Sequence, residues 1–345
     1  MTAKSLSWPS GFKQWHATAV VSGVALWTIY HQLQRSDLPE RPRKARPGLG
    51  SLPQDVRTNI VDKLYPEDIF PGGGYADLPT GRVRYWLFGP EDGKKLVLVH
   101  GLSIPAPMWR LLAPRLAEAG YRVLVFDLYG RGYSDSPDSK FPVELYTTQL
   151  ALLMQYVHWE KAYLAGVSMG SPIIAAFIDH FPHLVEEKVV LMAPAGLLDG
   201  IPRLNMLASP WFLKLLDLSV VRSYVRRSMG LTPKAAKQDK MRLDIIASMQ
   251  ADHLPEYVPM LLKSLRHGPP RGQHDSYKSK NFVGKNVLII HGTADKTIPF
   301  AHAKQIQELL PEGTQSEVVY VEGGPHDLPI SHADFMLSSI TQFIV

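Results

Sequence analysis

A serine between two glycines is the part of the sequence with the clearest potential for chemistry. The motif GVSMG (166–170) ends an apolar run at 162–166 and opens a helical pattern at 169–180. A nucleophile on a sharp turn between a strand and a helix has a strained backbone, and side chains two residues away on either side would clash. Glycine removes those clashes, and the helix N-terminus offers N–H groups to a developing oxyanion. The pattern predicts that Ser168 is a nucleophile, and a glycine-rich structural turn is the alternative.

A serine nucleophile needs a general base, and nine histidines follow Ser168 in the sequence. His326 lies in a turn-rich stretch, GGPHD, directly after the last predicted strand. A loop at that end of a strand can carry a side chain over the sheet toward the serine. His332 is the main rival, but it begins the last predicted helix and is expected to point outward. We therefore expect His326 to be the base.

The base in turn needs a carboxylate to orient it, and this residue should fall between the serine and the base. Asp295, in the stretch GTADKTIP, comes just past the penultimate predicted strand. Asp199 is the alternative position, after an earlier strand. Asp327 adjoins the base too closely in sequence to point back at its ring easily. The spacing favours Asp295.

An oxyanion hole requires two backbone donors, one after the nucleophile and one from an earlier loop. Met169 follows the nucleophile, and Leu102 lies in the loop HGL that ends a predicted strand at 95–99. Because only the N–H is used, the side chain at position 102 carries little information. His100 resembles a catalytic histidine but precedes the serine in sequence order, so we interpret it as structural.

A second glycine-rich stretch, FDLYGRGYSD (126–135), also follows a predicted strand. A glycine-rich loop after a strand is typical of phosphate binding, but this one lacks the GxxxxGK[ST] arrangement of such loops. We interpret it as a structural turn.

The chain from residue 75 onward alternates strand and helix patterns. Short runs rich in Val, Leu and Ile indicate strands buried on both faces, after a first strand with alternating polarity. The predicted strands are 82–89, 95–99, 122–127, 162–166, 188–192, 286–290 and 317–321. The predicted helices between and after them are 108–119, 143–158, 169–180, 301–310 and 333–344. The alternation predicts an α/β fold, a mostly parallel sheet with helices on both faces.

One long interval, between the strands at 188–192 and 286–290, interrupts this alternation. A packed domain does not tolerate a loop of that length without structure of its own. Its patterns are helical and dense in Leu and Met, at 206–218, 220–229, 234–249 and 256–265. We therefore predict a helical cap at 197–280, standing over the strand ends of a core made of 75–196 and 281–345.

The N-terminal segment, 1–35, contains an uncharged, apolar stretch. Residues 14–34 contain no Lys, Arg, Asp or Glu, and their apolar part, 17–30, has aromatic residues toward its ends. A membrane-spanning helix needs about 20 residues, so this is a marginal span. We interpret it as a membrane anchor; a targeting segment and a soluble docking helix are the alternatives. Proline-rich 36–74 is expected to be a linker.

Charge and composition restrict the remaining classes. The net charge is +5, and part of the excess follows the apolar segment, at Arg35, Arg41, Arg43, Lys44 and Arg46. That placement suggests a membrane surface rather than a nucleic acid and, by the positive-inside tendency, a catalytic domain on the cytosolic side. The chain has no cysteine, which excludes a disulfide scaffold, a thiol nucleophile and a thiolate metal site.

Together, the motifs HGL, DLYGRGYSD, GVSMG, GTADKTIP and GGPHD resemble the α/β-hydrolase superfamily, in particular its lid-bearing esterase, lipase and C–C hydrolase branches. The resemblance runs from about residue 75 to 345. It implies that Ser168, Asp295 and His326 form a catalytic triad, and it implies no metal or organic cofactor. An N-terminal anchor before such a domain also resembles membrane-bound monoacylglycerol lipases. HGL departs from the HGGG loop of another esterase branch, and a serine nucleophile argues against epoxide hydrolases and haloalkane dehalogenases.

The expected activity is hydrolysis of a carboxylic ester with an apolar or lipid acyl chain, through an acyl-enzyme. The Leu- and Met-rich cap and the anchor suggest a substrate with an apolar acyl chain. The same residues could cleave a thioester, an amide or a C–C bond, because the fold does not fix the substrate. A non-catalytic binding protein on the same fold is a second alternative, although such relatives often lose one member of the triad.

Overall fold

The computed structural model describes residues 45–199, 209–216, 218–228, 231 and 243–345. Its central feature is an eight-stranded sheet in the order β1-β2-β4-β3-β5-β6-β7-β8. The strands are β1 Gly73–Leu78, β2 Gly81–Phe88, β3 Lys94–Val99, β4 Tyr121–Phe126, β5 Ala162–Val167, β6 Val185–Met192, β7 Asn286–Gly292 and β8 Gln315–Val321. The first two strands pair antiparallel, and β2 is also antiparallel to β4. All other pairs are parallel, so the predicted α/β class is confirmed.

The central strands are buried because their side chains are apolar on both faces. In β3, the four residues from Leu96 to Val99 are fully buried, and β4 and β5 show the same pattern. Such strands need helices on both sides of the sheet to exclude water. The parallel connections place the carboxyl ends of β3, β5, β6, β7 and β8 at one edge of the sheet. Loops that follow these strands therefore share one surface, where open α/β sheets bind their ligands.

Helices connect and follow the strands. They are α1 Gln54–Val56, α2 Asp62–Leu64, α3 Ala113–Glu118, α4 Val143–Tyr156, α5 Gly170–His180, α6 Pro210–Leu215, α7 Ser219–Ser228, α8 Leu243–His253, α9 Tyr257–His267, α10 His274–Tyr277, α11 Ala301–Leu309, α12 Leu328–Ser331 and α13 Ala333–Phe343. A π-helical segment, Arg57–Val61, joins α1 to α2. Single 3₁₀ turns lie at Leu49–Ser51, Ala106–Trp109, Pro182–Leu184 and Lys280–Phe282.

Strand β1 is one element that the sequence pattern did not predict. It pairs with β2 from Gly73↔Trp86 to Leu78↔Gly81, and it lies at the edge of the sheet. Glycine is depleted in strands, and an edge strand has less apolar surface to bury than a central one. The glycine run 72–74 therefore favoured a linker, and no strand was predicted before residue 82.

The interval between β6 and β7 contains helices α6 to α10. Helices α8 and α9 pack into the main core, where Met249, Met260 and Leu261 are buried. The predicted helix at 234–249 corresponds in part to α8, and its earlier residues lie outside the described ones. Whether the whole interval acts as a cap over the strand ends stays a prediction.

The described part of the expected linker, 45–74, differs from a simple spacer. Leu49, Val61 and Tyr65 are fully buried in the core, and Tyr65 packs edge-on against Tyr133 with ring centroids 4.9 Å apart. Its prolines begin or interrupt short turns, as proline's fixed φ requires, without preventing burial. Residues 36–44 lie outside the described part of the chain.

The localisation prediction needs a correction. No helix within the described residues is long and apolar enough to cross a membrane. The segment on which the anchor prediction rested, 14–34, lies outside those residues. A membrane-associated protein with a single-pass anchor and a cytosolic catalytic domain is therefore not supported. A short apolar run with polar flanks was too weak a pattern to carry that prediction.

Candidate active site

Ser168 occupies the turn between β5 and α5 with φ of 55°, one of four non-glycine residues of the described chain with positive φ. An L-residue in the left-handed region is under steric strain. The turn is held by the Ser168 N–H, which donates to the Met192 carbonyl at 2.8 Å. A Cβ at Gly166 would lie 2.7 Å from the carbonyl carbon of Gly170, so the flanking glycines permit the close approach that the turn needs.

Asp295 and His326 are brought together, although 31 residues separate them in sequence. The His326 Nδ1–H donates to Asp295 Oδ2 at 2.7 Å, the length of a charge-assisted hydrogen bond. The Asp295 side chain is completely buried, whereas that of His326 is 22% exposed. One residue follows β7 and the other follows β8, and these strands are neighbours in the sheet.

The Asp295 carboxylate accepts hydrogen bonds on both oxygens. Oδ1 accepts from the N–H groups of Thr297 at 2.7 Å and Ile298 at 3.0 Å. Burial by itself would raise the pKa of Asp295, but hydrogen bonds from His291 and His326 outweigh it, with help from Ile298. The pKa of Asp295 therefore lies well below its usual range, and the carboxylate stays ionised.

His291 is a member of this cluster that the sequence reasoning missed. Its Nε2 lies 3.2 Å from Asp295 Oδ2, the same oxygen that accepts from His326. The side chain is fully buried at the end of β7. Since the carboxylate can only accept, His291 must be the tautomer with the proton on Nε2. The sequence signal for this role is a histidine four residues before Asp295, at the end of a buried strand.

The two residues expected to form the oxyanion hole lie on either side of the Ser168 turn. A Cβ built on Gly101 would lie 3.2 Å from Ser168 Cβ, which places the loop containing Leu102 beside the serine. Met169 directly follows the serine and precedes α5. Among the described residues, neither the Leu102 N–H nor the Met169 N–H donates to another group. Two free backbone donors beside a serine are what an oxyanion hole requires.

Ser168 and His326 both lie at the carboxyl edge of the sheet. Within the described part of the chain, neither Ser168 Oγ nor His326 Nε2 makes a hydrogen bond, so the base is not bonded to the serine in this structure. Catalytic hydrogen bonds are often long or poorly aligned in the absence of substrate. The structure thus joins His326 to Asp295, and it places Ser168 on another loop at the same edge of the sheet.

The residues that the sequence offered as rivals make other contacts. Asp199 binds the Gly272 N–H at 2.9 Å and pairs with His274 at 3.3 Å. His332 contacts Ser331 at 2.9 Å, and Asp327 accepts from the Ser331 hydroxyl through its carbonyl. Among the described residues, no rival forms a hydrogen bond or an ion pair with the His326 side chain.

His100 has structural contacts on both ring nitrogens. Its Nδ1–H donates to the Gly101 carbonyl at 2.8 Å, and its Nε2 accepts from the Leu128 N–H at 2.9 Å. Burial, assisted by the positive charge of Arg131, lowers the pKa of His100 to about 3. The ring is neutral and links the loop after β3 to the loop after β4.

The stretch 126–135 is organised around a buried aspartate. Asp127 accepts hydrogen bonds from the Tyr65 hydroxyl and from the N–H groups of Ala106 and Tyr133. Burial raises the pKa of Asp127 to about 6, and these donors partly offset that effect. The side chain ties the loop to the rest of the core, as expected for a structural turn.

Comparison with known proteins decides the family. The sequence model of the alpha/beta hydrolase fold matches residues 94–333 of this chain. The chain belongs to this family. The match includes all five residues of the candidate site, Leu102, Ser168, Met169, Asp295 and His326, and it confirms the superfamily expected from the motifs.

Relatives extend this similarity over most of the chain. A dihydrolipoyllysine-residue acetyltransferase component of the acetoin cleaving system of Pseudomonas putida is 25% identical over 295 residues, 83% of this chain and 75% of that protein. A hydrolase from Pseudomonas aeruginosa PA01 superposes with a TM-score of 0.66 at 15% identity, covering 79% of this chain and 98% of the other. The enol-lactonase from Burkholderia xenovorans LB400 has a TM-score of 0.59 at 19% identity, covering 79% and 99%. At these identities the structural matches show the shared fold, and the family supports hydrolase activity.

Proposed function

We propose that this protein is a serine hydrolase that cleaves a carboxylic ester through an acyl-enzyme. His326 takes the proton from Ser168 Oγ, and the oxygen attacks the carbonyl carbon of the ester. The N–H groups of Leu102 and Met169 hold the resulting oxyanion. The tetrahedral intermediate expels the alcohol, which receives the proton from His326. Water, activated by the same histidine, then releases the acid and regenerates the serine.

The hydrogen bond between Asp295 and His326 is the observation that carries the proposal. A buried, ionised carboxylate fixes the ring so that Nδ1 bears a proton and Nε2 is free to act as a base. That arrangement suits nucleophilic catalysis, and the strained turn at Ser168 supplies a matching nucleophile. A non-catalytic binding protein would have no need for this pairing.

An apolar or lipid acyl chain is the substrate class that we favour. The interval between β6 and β7, which we propose to be the cap, is rich in Leu and Met and leaves Trp211 58% and Leu218 57% exposed. Trp211 and Leu215, four residues apart on α6, are both exposed and share one helix face. A contiguous exposed apolar surface is typical of a region that meets an apolar partner. Esterase chemistry also fits the enol-lactonase among the structural relatives, since a lactone is a cyclic ester.

Hydrolysis of a C–C bond, a thioester or an amide is the alternative, because the same residues can serve those reactions. Release of fatty acid from monoacylglycerols of graded chain length separates the possibilities. We expect activity that rises with chain length and is abolished in Ser168→Ala. If the wild type released no fatty acid from any member of the series, the alternatives would be favoured over ester hydrolysis.

A further inference from the structure

Arg131 is a cation with no solvent contact and no anionic partner in the described residues. Its side chain is completely buried in the loop after β4. No carboxylate of the described chain forms an ion pair with it, although arginine keeps its positive charge in proteins. Burying an unpaired charge is costly, so a side chain of this kind usually serves a purpose beyond packing.

Neutral groups accept all of the arginine's hydrogen bonds. The five N–H groups of a guanidinium face five acceptors here, so the charge is solvated by dipoles and is not neutralised. The acceptors are the Leu102 carbonyl at 2.9 Å, the Tyr129 carbonyl at 2.8 Å, the Tyr146 hydroxyl, the Ser264 hydroxyl at 3.1 Å and Met169 Sδ at 3.8 Å.

Two of these acceptors belong to the residues that supply the oxyanion hole. Nε donates to the carbonyl of Leu102, and Nη2 contacts the sulfur of Met169. One rigid, planar group therefore links the loop after β3 to the turn after β5. The field of the charge also reaches this region, since it helps to keep the neighbouring His100 neutral.

We propose that Arg131 is a positioning residue for the oxyanion hole. It fixes Leu102 relative to Met169 and places an uncompensated positive charge close to the developing oxyanion. The proposal rests on the proposed function, because it assigns a role in the same reaction. A preorganised charge in a water-excluded region stabilises the transition state more than the bound substrate. Loss of the guanidinium should therefore affect kcat rather than KM.

The test compares Arg131→Gln, which removes the charge but keeps a donor, with Arg131→Lys, which keeps the charge but loses the planar fork. Steady-state hydrolysis of one ester is normalised to active sites titrated with a fluorophosphonate. We expect kcat to fall about 10- to 100-fold in the Gln variant and about 3- to 10-fold in the Lys variant, with KM within about twofold of wild type. Affinity for a trifluoromethyl ketone, which mimics the oxyanion, should fall in parallel with kcat.

Arg84 provides the matched control. It is also buried, but it contacts Glu67 at 3.8 Å and lies on β2, away from the oxyanion loop. Arg84→Gln should lower Tm and leave kcat per titrated site unchanged. Wild-type kcat in Arg131→Gln, or in Arg131→Lys if the Gln variant does not fold, would overturn the proposal. Absence of turnover and labelling in the wild type would instead refute the proposed function itself.

Discussion

The Nδ1–H of His326 donates to Asp295 Oδ2 at 2.7 Å, and His291 Nε2 lies 3.2 Å from that same oxygen. One buried carboxylate oxygen thus accepts from two imidazoles. The other oxygen is occupied by two backbone N–H groups. All donors around Asp295 favour its charged form, so this residue can stabilise an imidazolium at His326 without taking up the proton.

Replacing Asp295 by Asn tests this arrangement. Asparagine has only one accepting side-chain atom, so its NH₂ group would face either the N–H groups of Thr297 and Ile298 or the two histidines. The first arrangement sets donor against donor, and the second forces His326 into the tautomer without a proton on Nδ1. We expect kcat to fall about 10³- to 10⁴-fold, with KM little changed. Steady-state kinetics checks this, and circular dichroism should show an unchanged fold. A loss below tenfold would exclude Asp295 as the orienting acid.

His291 should contribute to activity through Asp295. In His291→Gln the side-chain amide can still donate to Oδ2, whereas His291→Phe removes the donor and keeps most of the volume. We expect kcat within about threefold of wild type for Gln and about 10- to 100-fold lower for Phe. The comparison uses kcat per titrated site. Equal activity of the two variants would show that the second imidazole is structural only.

Buried His100 predicts a specific dependence of stability on pH. Its folded pKa of about 3 lies below the ordinary value of 6.5, so between these values the unfolded chain binds the extra proton. Stability therefore falls as pH decreases from about 6.5 toward 3, by about 1.4 kcal/mol per pH unit for this group. The free energy of unfolding, measured with urea from pH 6 to pH 4, should fall more steeply in wild type than in His100→Gln. The difference between the two slopes should equal that value. Parallel curves would contradict the neutral, buried state.

The strained turn predicts an order of stability among inactive variants. Ser168→Ala keeps a Cβ at φ of 55°, whereas Ser168→Gly removes it. We expect the Gly variant to be more stable than the Ala variant by about 1 kcal/mol, because glycine adopts positive φ without strain. Thermal unfolding of both proteins measures the difference. A more stable Ala variant would mean that the turn is not strained.

The sequence predicted the central strands, and it singled out the residues of the candidate site, because both inferences depend on local patterns. The catalytic roles of those residues stay a proposal. The inner residues of β3 and β7 are apolar and buried, and the candidate residues lie in the loops after β3, β5, β7 and β8. The prediction failed where the signal is not local. Edge strand β1 is rich in glycine, and the buried residues of 45–74, such as Tyr65, acquire their partners only in the folded chain.

The same limit applies to polar groups with distant partners. Arg131 could be assigned to a turn, but its contacts with Leu102 and Ser264 join segments that are far apart in sequence. His291 looked like the end of a strand, and only the fold shows that its ring meets Asp295. Periodicity and motifs describe a residue's neighbours along the chain. The roles of Arg131 and His291 depend instead on residues that become neighbours only in the folded structure.

Labelling of the full-length protein with a fluorophosphonate probe tests the central claim most directly. The probe reacts with a serine only when a base removes its proton and an oxyanion hole holds the adduct. Mass spectrometry of digested wild type should place one adduct on Ser168, and His326→Gln should label at least 100-fold more slowly. Absence of an adduct on Ser168, or equal labelling of Ser168→Ala, would contradict the account.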